Sequence, residues 1–79
     1  MSLRNSVTAI VAEILQVEPR SLDPAANLQE QGLSSLGMIE LLGSLEEKHG
    51  VPIPPSEVTP ENFASVDSLS GLLRRLGAA

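Results

Sequence analysis

Seventy-nine residues give room for one small hydrophobic core, so a multi-domain organisation is excluded; with 42% hydrophobic residues and a single aromatic, Phe63, that core must be built from Leu, Ile and Val. Ten acidic against five basic side chains leave a net charge of −5, which argues against a nucleic-acid partner and favours basic protein surfaces, and the lack of cysteine excludes a disulfide, a thiolate metal site and a thiol nucleophile of the chain's own. No apolar run approaches the roughly 18 residues of a bilayer span, and Arg4, Asn5 and Glu13 interrupt the N-terminal stretch unlike a secretory signal, so the expectation is a soluble, cytoplasmic, monomeric single domain over residues 1–79 with no membrane partner.

Leu3, Val7, Ile10, Val11 and Ile14 recur at helical spacing behind Ser2, a natural N-cap, and predict a first helix over about residues 3–16. Pro19 disfavours helical geometry at Glu18 and ends it. From 17 to 34 no period is sustained, but Leu22, Leu28 and Leu33 punctuate turn formers such as Asp23-Pro24, so these leucines are expected to pin a long loop to the core, with a short turn of helix around 23–26. A second helix over about 35–49 ends in Lys48 and His49, two potential cations at the negative end of its dipole, and Gly50 can supply a left-handed cap. Pro52, Pro54 and Pro55 enforce the stop. Thr59-Pro60 reads as an N-cap followed by Pro at the first helical position, predicting a short third helix over roughly 60–64 with Phe63 as its core anchor. Ser65 then caps a last helix whose Val66, Leu69, Leu72, Leu73 and Leu76 share one face, with Arg74 and Arg75 complementing its C-terminal end. The count is all-α: a four-helix bundle of three longer helices and one short one.

The second helix is the most informative. At 3.6 residues per turn, Met38, Ile39, Leu41, Leu42, Leu45 and His49 fall on one broad arc that should face the core. The opposite arc holds Leu36, Gly37, Glu40, Gly43, Ser44, Glu47 and Lys48. A face that only met water would avoid glycine, which costs about 1 kcal/mol in a helix interior relative to alanine, and has no use for an exposed leucine. Close approach of another protein would use both. His49, the single histidine, has no partner group visible in the sequence and reads as a helix-end cation or a partly buried wall residue.

At the head of this helix stands Gly32-Leu33-Ser34-Ser35-Leu36, followed by Glu40-Leu41-Leu42, Leu45-Glu46-Glu47 and Gly50-Val51-Pro52-Ile53-Pro54. Together with the flanking helices, these segments resemble the acyl and peptidyl (aminoacyl) carrier proteins, whose signature is Gly-x-Asp-Ser-Leu at the start of the second helix, then an acidic amphipathic stretch and an Ile-Pro segment. The resemblance implies that Ser35 carries a 4'-phosphopantetheine arm, attached from coenzyme A by a phosphopantetheinyl transferase. A phosphodiester there would lie at a helix N-terminus, where free N–H groups and the dipole favour an anion. Ser34 stands where the family commonly has Asp, and serves as the N-cap that either residue can provide.

The resemblance further implies a non-catalytic carrier that holds acyl or aminoacyl intermediates as thioesters. An acyl- or aminoacyl-activating ligase (adenylating enzyme) would load it, and downstream synthases or transferases would dock on Leu36, Ile39, Glu40 and Glu47. A free-standing carrier of nonribosomal peptide or polyketide biosynthesis is the expectation. Fatty acid synthesis and D-alanine transfer are alternatives within the family, and an unmodified helical interaction module is an alternative outside it.

Overall fold

The computed structural model describes residues 2–78. They form three α-helices, α1 (Leu3–Leu15), α2 (Ser35–His49) and α3 (Val66–Arg75), with short 3-10 helices at Pro19–Ser21 and Pro55–Glu57; no strand occurs among the described residues. The all-α expectation holds, and the count of α-helices is three rather than four.

Helix α1 packs against both α2 and α3. It starts where Ser2 Oγ accepts from Asn5 N–H at 3.1 Å, and it buries Leu3, Val7, Val11 and Ala12. It stops at Gln16, one residue short of expectation, because that residue takes a left-handed conformation (φ 58°, ψ 46°) and turns its N–H back to Ala12 and Glu13. Arg4 of α1 and Asp67 in the first turn of α3 form an ion pair at 2.6 Å across the two helices.

The long connection from α1 to α2 is held from the inside by Leu22, Leu28 and Leu33, all buried. Its helical turn lies at Pro19–Ser21 rather than at 23–26, where Ala26 N–H closes a plain turn on the Asp23 carbonyl at 3.2 Å. Gln31 braces that turn: its Oε1 accepts from Asp23 N–H at 2.9 Å and its Nε2 donates to the carbonyls of Asp23 and Ala26. Two further bonds tie the loop to the other end of the chain, Leu28 N–H to Ala64 O at 2.8 Å and Asp67 N–H to Pro24 O at 2.9 Å.

Residues 60–64, expected as a helix, form a single turn. Thr59 caps it as foreseen, its Oγ1 accepting from Asn62 N–H and its carbonyl from Phe63 N–H, and Phe63 is buried in the core. The turn cannot propagate, since Ser65 is extended (φ −150°, ψ 168°) and opens α3 through a capping box with Ser68. Asn62 donates to the Glu57 carbonyl and carboxylate and accepts from Arg75 Nη2, so this segment is clasped to the end of α3. Arg75 thus bonds a side chain as well as standing at its helix terminus.

Candidate functional site

Helix α2 runs over the residues the sequence predicted, because both of its ends are set by local chemistry. Ser34 is the N-cap: its Oγ accepts from Gly37 N–H at 3.1 Å and its carbonyl from Met38 N–H at 2.9 Å. Gly50 is the left-handed C-cap (φ 65°) that bonds back to Glu46 O. Ser35 is the first residue of the helix and is exposed. Both adjacent serines are exposed but they are separated in role, since the Ser34 side chain is engaged with the helix backbone and no hydrogen bond of the Ser35 hydroxyl occurs among the described residues. The position suits an anionic ester, since the first N–H groups of a helix have no partner within it and the dipole is positive there.

Along the outer side of α2, Leu36 and Ile39 are each 67% exposed, and Glu40, Gly43 and Glu47 are exposed with them. Leu36, Ile39, Glu40 and Glu47 thus share one surface leading away from Ser35. The ion pairs among the described residues are Arg4–Asp67 and Arg75–Glu57, so neither Glu40 nor Glu47 is neutralised by an intramolecular bridge. Glu46 is spent differently: its Oε2 accepts from the N–H of the buried Ile53 at 2.7 Å and fixes the chain after α2.

Two placements on α2 differ from the helical-wheel expectation. Ile39 was assigned to the core arc and lies outside; it sits at the edge of that arc, about 100° from its centre at 100° per residue. Gly37 was assigned to the outer arc and is buried. A Cβ on Gly37 would come within 2.8 Å of Leu33 Cδ1 and 3.6 Å of Ile14 Cγ2, so its missing side chain serves packing against α1 and the loop. Gly43 is the opposite case, with nothing within 4 Å of an added Cβ.

Surface grooves border α2. An apolar cleft of about 240 Å³ lies between Met38, Ile39 and Leu42 on the helix and Val58, Pro60 and Phe63 on the facing segment. A second, about 230 Å³ and more polar, runs between Ile14 and Leu15 of α1 and Ser34, Leu36, Gly37 and Glu40. Another, about 420 Å³, is lined by Ile10, Glu13, Ser44, Glu47 and Lys48, farther down the helix, and does not include Ser35.

Among the polar contacts that sequence reasoning missed is one at the end of α2. His49 Nε2 lies 3.1 Å from Ser6 Oγ, which links the end of α2 to α1 and gives the histidine its place in the wall. No periodicity or motif could have signalled it, since it joins residues far apart in the chain. Among the described residues no carboxylate is hydrogen-bonded to the ring, so the pair lacks the third member that would orient it for catalysis.

Comparison with known proteins places this geometry. The aminoacyl carrier protein 2 of Bradyrhizobium diazoefficiens is 37% identical over 81 residues, covering 99% of this chain and 91% of that protein. The acyl carrier protein of Helicobacter pylori (strain G27) is 38% identical over 58 residues, covering 72% and 74%. A chain in the crystal structure of Bradyrhizobium japonicum glycine:[carrier protein] ligase complexed with glycylated carrier protein superposes with a TM-score of 0.81 at 32% identity, covering 90% of this chain and 99% of that one. The profile of the phosphopantetheine attachment site family matches residues 5–75. With an exposed serine at a capped helix head, a helical fold shared with solved carriers and that profile along most of its length, the chain belongs to the phosphopantetheine-binding carrier proteins.

Proposed function

We propose that Ser35 is the residue to which a phosphopantetheinyl transferase attaches the arm, and that the chain carries aminoacyl groups as thioesters on it. The observation that carries this reading is the division of labour at the head of α2: Ser34 holds the cap and leaves the Ser35 hydroxyl exposed to an incoming enzyme. When bound, the arm supplies the thiol that the chain itself lacks. The residues of the chain contribute the ester oxygen, the helix N-terminus that favours the phosphate charge, and a surface for visiting enzymes.

An aminoacyl cargo is supported by the aminoacyl carrier relatives and by the similar chain in the glycine:[carrier protein] ligase complex. An aminoacyl-activating ligase is accordingly the proposed loading partner, and a biosynthetic enzyme that accepts the aminoacyl group the proposed consumer, in nonribosomal peptide or related chemistry. Leu36, Ile39, Glu40 and Glu47 are the proposed docking residues, with partners presenting apolar and basic groups. Because its donor is coenzyme A, the attachment reaction is assigned to the cytoplasm. A second reading, an acyl carrier of fatty acid synthesis, is favoured by the apolar cleft next to Ile39, which suits an alkyl chain better than an ammonium group.

Intact mass tests the proposal. Incubation with coenzyme A, Mg²⁺ and a broad-range transferase is expected to add one phosphopantetheinyl group, and Ser35→Ala to abolish the gain while Ser34→Ala retains it. Modification of Ser35→Ala would overturn the assignment. Adding ATP, glycine and a glycine:[carrier protein] ligase to the modified protein then distinguishes aminoacyl from acyl loading.

A further inference from the structure

We propose that Gly43 is a specificity-determining residue. Its missing side chain lets the transferase that modifies Ser35 lie directly on the backbone of α2, with apolar groups against Leu36 and Ile39 and basic groups at Glu40 and Glu47. The inference rests on the reading of Ser35 given above.

The fold itself has no use for this glycine. It lies in the interior of α2, where glycine is the poorest helix former after proline. An added Cβ would meet nothing within 4 Å, and the residue needs no left-handed conformation, unlike Gly32, Gly50 and Gly77. Gly37 shows what a packing glycine looks like on the same helix, with Leu33 Cδ1 only 2.8 Å from where a Cβ would stand. A surface that only met water would be more stable with alanine at 43.

The location accounts for the cost. Gly43 follows Ser35 by about 12 Å along the helix axis at 1.5 Å per residue. It is one turn beyond Ile39 and Glu40 and one turn before Glu47, on the same exposed side. An enzyme that forms a bond to Ser35 Oγ must rest on the surface around the head of α2. Two exposed apolar side chains, two carboxylates without an intramolecular ion pair and a bare stretch of backbone on one face are complementary to a basic, apolar-tipped surface pressed close. A methyl group at 43 would hold such a surface off the backbone.

Alanine at this position therefore moves stability and recognition in opposite directions. The test compares purified wild-type protein, Gly43→Ala, Gly43→Leu and Gly71→Ala, measuring the melting temperature and the transferase kcat/KM by intact mass with coenzyme A and Mg²⁺. Gly71 is the control: it lies in α3, and its added Cβ would meet only Arg75 Nη1, at an ordinary 3.8 Å. Gly43→Ala and Gly71→Ala are both expected to melt about 4–8 °C above wild type. Gly43→Ala should be modified several-fold more slowly and Gly43→Leu about tenfold more slowly, with Gly71→Ala at the wild-type rate. Wild-type rates for both Gly43 variants would overturn the inference and leave the Ser35 assignment standing, and an equal slowing of Gly71→Ala would also overturn it. Absence of any mass gain in the wild type would remove the assignment itself, and the inference with it.

Discussion

The two sides of α2 obey different rules. Its inner side, Gly37, Leu41 and Leu45, is closed against α1 and the loop, and there glycine serves packing, because a Cβ would come within 2.8 Å of the buried Leu33 Cδ1. On the outer side, Leu36, Ile39 and Gly43 stand beside Glu40 and Glu47 with no internal contact that demands any of them. Leucine and glycine thus occur on both sides of one helix for unrelated reasons. On one side the constraint is volume inside this chain, and on the other, under the proposed docking role, it is the surface offered to another protein.

Substitutions on the two sides should separate accordingly. The largest effect is expected from Leu41→Ala, which empties a fully buried position and should cost about 2–5 kcal/mol. In a domain this small that approaches the whole stability. Leu36→Ala should change stability by less than about 0.5 kcal/mol while slowing modification by the transferase; urea denaturation of the pair, with loss of stability in Leu36→Ala as the contrary result, checks the assignment of the two faces. Gly37→Val comes next, since its side chain would have to displace Leu33 within the core, at about 1–3 kcal/mol. A melting temperature at or above wild type would show that the Gly37 contact is slack. Smaller than the losses at Leu41 and Gly37 is that of Ser34→Ala, which removes the helix cap and should cost about 1 kcal/mol. Its measured loss, compared with that of Ser35→Ala, sharpens the division between the two serines, for the loss of Ser35, whose side chain caps nothing, should cost the fold almost nothing.

The parts of the molecule most legible in the sequence are those governed by contacts between near neighbours. Ser2, Ser34 and Ser65 all cap the helices they were expected to cap, and Gly50 ends α2 where Lys48 and His49 announce the end. Leu22, Leu28 and Leu33 pin the long loop as their spacing among turn formers implied. The segment around Thr59 was legible only in part: the cap and the Phe63 anchor are present, but the extended Ser65 and the clasp of Asn62 to Glu57 and Arg75 limit it to one turn.

The sequence by itself determined where the three α-helices begin and where α2 ends, which residues can form a core, and that a serine stands at the head of the second helix in a carrier-type setting, because caps and amphipathic periods act over three or four residues. Only the tertiary structure decided that Gly37 turns inward and Ile39 outward, that His49 meets Ser6, and that the turn at 60–64 goes no further. Those outcomes depend on where α1, the long loop and the start of α3 come to lie against α2, and that relative placement is set by packing between segments distant in the chain.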